Sequence, residues 1–240
     1  MQARTTRLTT RAVATVTGVV LASGCAAAQE PKAAAEVSST IPSAKAQAEP
    51  LTMAQLKDLA FKDGEVPQAH EPITVQEPPR EGGQRSFPPI SVPACQPLID
   101  IRNGEGSFTH VFQTFNWKKN IMGGSSTLAS YKEGEAEQRF AELKQALATC
   151  RSYKGESYVG PFKATVKRET PPQVGDEAVA FREIIPMGSE QPGDRNEQFI
   201  VVRTGNTIAT FSDLSVGKSL SFPAELISRQ VDRLRNAQRP

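Results

Sequence analysis

The chain has 240 residues, with 28 Lys and Arg against 26 Asp and Glu, two His and three Cys. Its formal charge of +2 is too small to project a field that would gather nucleic acid or acidic lipid, so neither is expected as an electrostatic partner. Three of the basic residues, Arg4, Arg7 and Arg11, stand at the very start, and without them 25 Lys and Arg face 26 Asp and Glu, a net charge of −1.

Those arginines precede an uncharged run, Ala12 to Gly24, that ends in small residues. A basic start, a short apolar stretch and small residues at its exit are the layout of a secretory signal, assigned here to residues 1–24. The run is shorter than the roughly 20 residues a bilayer-spanning helix needs. Leu21-Ala22-Ser23-Gly24-Cys25 resembles the bacterial lipobox, in which a cysteine after a small residue receives a diacylglycerol thioether and becomes the mature N-terminus. It departs from the usual pattern in placing Leu21 four residues before the cysteine, with Ala22 at the third. Ordinary secretion with cleavage after Ala26-Ala27-Ala28 is the alternative. Lipidation of Cys25 is preferred because it also accounts for the odd thiol. Two acyl chains, at about 0.8 kcal/mol per buried CH₂, hold a protein on a membrane durably, where one chain binds marginally.

Once Cys25 is lipidated, Cys95 and Cys150 remain. They lack C-x-x-C spacing, and two thiols in one exported domain are expected to pair. Residues 25–50 are rich in Ala, Glu, Ser, Pro and Lys and too poor in large apolar groups to fold, so they are read as a flexible tether reaching roughly 25–30 Å.

A single folded domain is expected over 51–240. Thr52 and Gln55 have capping-box spacing, and Leu51 with Leu56 can form a hydrophobic staple, so a short helix is predicted from about Met53 to Phe61. A Pro-rich stretch follows, from Pro67 to Pro93, predicted as extended or looped. Phe108, Val111, Phe112, Phe115 and Trp117 form the densest aromatic group, in an element that the pattern leaves open between strand and helix. Gly123-Gly124-Ser125-Ser126 reads as a turn and Thr127 to Tyr131 as a strand. Ala136, Phe140, Leu143 and Leu147 fall on one face of a helix from about Gly134 to Thr149.

Strands are predicted over 163–168, 177–185, 198–203 and 207–212. Gly205-Asn206 supplies a tight hairpin between the last two, and Gly175-Asp176 a turn before the second. Pro223 opens a final helix to about Asn236, with Leu226, Ile227, Val231 and Leu234 as its apolar stripe. Strands in a row with helices at the ends give the α+β class, an antiparallel sheet with helices packed on one side.

Several features recur together in one group of proteins: the lipobox, the polar tether, a cysteine after a Pro-rich segment, AEQRFAELKQALATC from Ala136 to Cys150, Gly175-Asp176-Glu177-Ala178, and Val202-Arg203-Thr204-Gly205-Asn206 before a last amphipathic helix. In overall pattern, from Leu51 to Ala237, the chain resembles actinobacterial lipoproteins similar to the extracellular sensor domain of a PknH-type serine/threonine kinase. The resemblance implies a sheet flanked by helices around a cleft, with a small-molecule or cell-envelope ligand and a membrane location. This chain offers one cysteine pair where the kinase's domain has two disulfides.

His70 lies in the Pro-rich loop and His110 beside the aromatic group, and neither has the neighbours a zinc site needs. There is no G-x-S-x-G elbow. Gly104-Glu105-Gly106-Ser107 lacks the strand-to-helix setting of a phosphate loop. Glu133, Glu135 and Glu137 read as a solvated helix start, where they favour the helix dipole. Neither metal nor cofactor is expected. The aromatic group is core on one reading and the lining of a ligand cleft, formed by Phe112, Phe115 and Trp117, on the other. A non-catalytic ligand-binding or sensing lipoprotein is the expected function, with a cell-envelope enzyme of unrecognised type as the alternative. Intact-mass analysis of membrane-fraction protein is expected to give a diacylglyceryl-modified chain beginning at Cys25; a soluble species beginning at Gln29 would refute the assignment.

Overall fold

A computed structural model describes residues 49–78, 87–188 and 193–239. The signal, Cys25 and nearly all of the tether lie outside the described residues. The elements run α1 (Met53–Leu59), β1 (Val75–Gln76), α2 (Gln96–Arg102), β2 (Thr109–Trp117), β3 (Asn120–Ser130), α3 (Glu135–Thr149), β4 (Ser152–Ser157), β5 (Gly160–Glu169), β6 (Glu177–Pro186), β7 (Asp194–Thr204), β8 (Thr207–Val216) and α4 (Ala224–Ala237).

All eight strands form one antiparallel sheet in the order β1-β2-β3-β8-β7-β6-β5-β4. The topology follows from one long crossover. After β3, α3 carries the chain to the far edge, and β4 to β8 return as a meander until β8 pairs with β3. The Gly205-Asn206 hairpin is present, with Thr204 opposite Thr207.

The expected α+β class, an antiparallel sheet with helices packed on it, is what the structure shows. The helices divide between the faces, where the sequence reading had placed them on one. Central strands explain the division. Side chains alternate across a strand, and the continuous apolar run Phe199-Ile200-Val201-Val202 therefore presents apolar groups to both sides. Ile200 and Val202 join Ala209, Phe211, Leu128 and Phe115 beneath α1 and α4. Phe199 and Val201 join Ile208, Ala129, Phe181 and Val166 beneath α2 and α3. Both faces must be covered, and two helices cover each.

Local signals place those helices. Thr52 and Gln55 cap α1 reciprocally, as a capping box. Ala136, Phe140, Leu143 and Leu147 of α3 are buried, as are Leu226, Ile227, Val231 and Leu234 of α4. The Pro-rich stretch is packed as well as extended: Val66 and Ala69 are buried, and β1 pairs with β2. Buried Gln113 of β2 holds this region in place, accepting from the Phe61 amide at 3.0 Å and donating to the Phe61 carbonyl at 2.9 Å. The 123–126 segment, read as a turn, lies inside β3. Its glycine serves close approach and not chain reversal: a Cβ on Gly124 would fall 2.7 Å from both the Ser212 carbonyl oxygen and Trp117 Nε1.

Cys95 and Cys150 are joined as a disulfide, with Cα atoms 5.3 Å apart. The bond ties the short turn before α2 to the end of α3 within the second core. It spans 55 residues, for which the chain-entropy relation gives about 4 kcal/mol. Replacing both cysteines by Ala is expected to lower unfolding stability by about 2–4 kcal/mol in urea titration with α3 still formed; a loss under about 0.5 kcal/mol would show that core packing alone fixes α2 on α3.

Candidate functional site: a polar row across the sheet

Registers assemble the site. Gly124 lies opposite Asp213, Asp213 opposite Gln198, and Gln198 opposite Arg182. The four form one row across β3, β8, β7 and β6, on the face that carries α1 and α4. Along each strand the row begins where an apolar tract ends: Phe211 precedes Asp213 by two residues, Ala180 precedes Arg182, and Ile200 follows Gln198. A period of two keeps them on one face, so the floor changes from apolar to polar in a single step. Asp213, Arg182 and Gln198 are all buried, at 5%, 5% and 8% exposure.

The groups are only partly satisfied. Arg182 Nε donates to Glu169 Oε1 at 2.6 Å, and its Nη2 donates to the Leu220 carbonyl at 3.0 Å. Gln198 Nε2 donates to Glu169 Oε2 at 2.6 Å. Asn120 Nδ2 donates to Asp213 Oδ1 at 2.9 Å and to the Leu214 carbonyl at 2.7 Å. Arg182 Nη1 and Gln198 Oε1 are buried without a hydrogen-bond partner, and Trp117 Nε1, buried as well, has only the Asp213 carboxylate within reach. Each such group costs about 1–3 kcal/mol of desolvation. Burial pushes the Asp213 carboxyl up to about 6, against the opposing pull of Asn120, Trp117 and Arg182.

The other face of the same strands is also polar at this level. Glu183 of β6 lies opposite Glu197 of β7. Two facing carboxylates repel, and cations from nearby elements offset that repulsion. Arg102, from the last turn of α2, donates to Glu183 Oε2 at 2.6 Å and lies over the Phe199 ring at 5.1 Å. Tyr153 of β4 donates to Glu183 Oε1 at 2.5 Å, and Arg195 donates to Glu197 at 2.7 Å. Burial acts to lower the Arg102 pKa, but Glu183, Tyr153 and Glu197 outweigh it and the net shift is upward. Burial and Glu183 push the Tyr153 hydroxyl up. Both Glu183 oxygens are engaged, so this cluster ties α2 to β4 and β6.

The aromatic group is a strand, β2, and its alternation splits the proposed cleft. Phe115 and Trp117 point beneath α4, stacked at 5.2 Å between centroids, and Phe222 packs edge-on against both. Phe115 is fully buried and Trp117 is 8% exposed. Phe112 stands on the opposite face, half-buried, and Phe108 is exposed. Phe115 lies opposite Gly124 at the end of the polar row and Trp117 sets its indole nitrogen above Gly124, while Phe112 faces away from it. His110 is partly buried beside Ser107 Oγ at 3.2 Å, and burial pushes its pKa down. Among the described residues, no group of three or more His, Cys, Asp or Glu could hold a metal ion.

Arg182, Gln198, Asp213 and Glu169 were not singled out from sequence. The available signal was a polar residue at an inward position of an otherwise apolar strand.

Asp213 gives a pH test. Its folded pKa of about 6 exceeds the unfolded value of about 4, so between those values the folded state holds more protons. Its contribution to stability therefore falls as pH rises from about 4 to about 6, by on the order of 1–3 kcal/mol. Asp213→Asn is expected to remove that slope and raise the urea midpoint at pH 7. Parallel stability curves for the two proteins across this range would contradict the assignment.

No protein-family model matches the chain, and no curated protein matches it. Solved structures do. The extracellular domain of PknH from Mycobacterium tuberculosis aligns with a TM-score of 0.55 and 11% identity, over 78% of this chain and 98% of that one. An Rv0999 ortholog from Mycobacterium smegmatis aligns with a TM-score of 0.33 and 13% identity, over 77% and 93%, a score too low to bear on the fold. At 11% identity the first likeness concerns the backbone alone: this chain shares its fold with the extracellular domain of PknH.

Proposed function

We propose that the protein is an extracytoplasmic lipoprotein, held to the outer face of the cell membrane through Cys25, whose folded domain binds a small-molecule or cell-envelope ligand without turning it over. The fold likeness carries this reading, because it takes in nearly the whole of a kinase's extracellular domain. Three further features support it. The first 25 residues have the pattern of an export signal ending in a lipobox-like cysteine. Cys95 and Cys150 are paired, as suits an oxidising compartment. No helix among the described residues is long and apolar enough to cross a membrane, so the lipid on Cys25 would be the attachment.

Fractionation of an actinobacterial host expressing the full chain tests location, and binding is tested separately. Wild-type protein is expected in the membrane fraction and sensitive to protease added outside cell-wall-stripped cells. Cys25→Ala is expected to abolish the diacylglyceryl adduct. A delipidated or aqueous envelope extract is expected to raise the thermal midpoint by several degrees, as ligand binding to the folded state requires. Wild-type protein found wholly in the cytosol would overturn the location; a midpoint unmoved by any extract would overturn the binding.

A further inference from the structure

The polar row has an unusual composition of unmet groups. Arg182 Nη1 is a donor and Gln198 Oε1 an acceptor, and Trp117 Nε1 is a donor whose one neighbour is the Asp213 carboxylate. Beside them lies the Asp213 carboxylate, an acceptor when ionised. All four residues are at least nine-tenths buried. Burial of one unpaired polar atom can be an accident of packing; two on a single row, next to an indole N–H and a carboxylate, make a patterned surface.

Charge narrows what could meet that surface. Arg182 is neutralised by Glu169, so the only uncompensated charge is that of Asp213. An anion would face Asp213 and the Gln198 oxygen. A cation would face the Trp117 and Arg182 N–H groups. A hydroxyl both donates and accepts, and so satisfies either kind of neighbour at no charge. From Gly124 to Arg182 the row spans three strand spacings, about 14 Å, and a ligand larger than water reaches it only when its cover is displaced. Aromatic edges from Trp117 and Phe222 adjoin it, offering apolar contact to C–H faces.

Its cover is a short strap, residues 217–222, between β8 and α4. Ser215 Oγ donates to the Lys218 carbonyl at 2.8 Å, Arg182 reaches the Leu220 carbonyl, and Phe222 packs on Phe115, Trp117 and Phe211. Among the described residues, the backbone from 218 to 222 makes no hydrogen bond to another backbone group. Lifting the strap from Lys218 to Ser221 therefore breaks side-chain contacts and leaves the sheet ladder whole.

We infer that the row Trp117–Asp213–Gln198–Arg182 beneath the 217–222 strap is a binding site for a neutral polyhydroxylated ligand, a sugar or polyol. The inference rests on the ligand-binding reading above and gives it a place and a chemistry. Hydroxyls accept from Arg182 Nη1, donate to Gln198 Oε1, and come between Trp117 Nε1 and Asp213, accepting from the one and donating to the other. The source is either a free sugar or polyol or the glycan portion of an envelope component.

Trp117 is the chain's single tryptophan, so its emission reports on this site alone. Processed full-length protein, extracted from membranes in a detergent without a sugar headgroup, is titrated with D-glucose, D-galactose, glycerol, myo-inositol and an envelope polysaccharide fraction. Sodium acetate and methylammonium serve as charged controls. Expected are a saturable shift of Trp117 emission with at least one hydroxyl compound and none with the controls. Asp213→Asn, which removes the charge and keeps the shape, is expected to weaken that binding about tenfold. Response to the polysaccharide but not to the free compounds identifies the glycan source, and the reverse identifies a free ligand. Saturation-transfer NMR on the wild type, from aromatic protons to ligand ring protons, checks the contact without any variant. A response to acetate or methylammonium in place of the hydroxyl compounds overturns the inference, as does no response to any hydroxyl compound. In the latter case, an envelope extract that still raises the thermal midpoint leaves the binding reading intact and moves the site; an extract without effect removes both.

Discussion

Everything in this fold depends on two strands that have no solvent face. β7 and β8 lie inside the sheet and carry apolar side chains up and down, so neither side can be left to water. That requirement explains why α3 crosses one face in the middle of the chain while α1 and α4, from opposite ends of it, meet on the other. It also explains why the Pro-rich segment is drawn in. α1 and α4 leave part of the sheet edge uncovered, and Phe61, Val66 and Ala69 complete the cover, fixed through Gln113 and through the Glu65–Arg233 ion pair.

The apolar sandwich stops abruptly at the level of residues 182–183 and 197–198. From there both faces of the sheet are polar, but they are polar in different ways. On the α2/α3 face the charges are matched, through Arg102, Tyr153, Glu183, Glu197 and Arg195, and Arg195 Nε is buried without a partner. On the α4 face donors and acceptors are left over. A network completed by its own members stiffens a structure, and a network left incomplete invites an outside member. At this level of the sheet the α4 side carries more unmet groups than the other, which is the structural reason to look for a ligand there.

Much of the architecture could be read from the residues because long elements carry their own periodicity. α3 and α4 follow from apolar spacing, α1 from its capping box, and the β7–β8 hairpin from Gly205-Asn206. β4 was missed because Ser152–Ser157 is a polar edge strand with one inward side chain, Tyr153. β2 stayed ambiguous because Phe112 and Phe115 are three apart, a spacing that suits a helix face as well as an alternating strand that places them on opposite sides. α2 was hidden by its brevity and by the prolines before it. The candidate site was the least legible part. Arg182, Gln198 and Asp213 come from three strands, and no local motif joins them; only the register does, and a register shifted by one residue would turn each to the other face.

The place of β8 also sets the order in which the molecule can be completed. It is the last strand in the sequence but the fourth in the sheet, the one that joins β1-β2-β3 to β4-β5-β6-β7. A chain emerging N-terminus first has two separate half-sheets until residues 207–216 appear, each with a bare apolar edge that can pair with other molecules. Only after β8 has zipped those edges together can α4 close over it. The interval before that last strand arrives is the time of greatest exposure, and a factor that held the two bare edges apart would have most to protect during it.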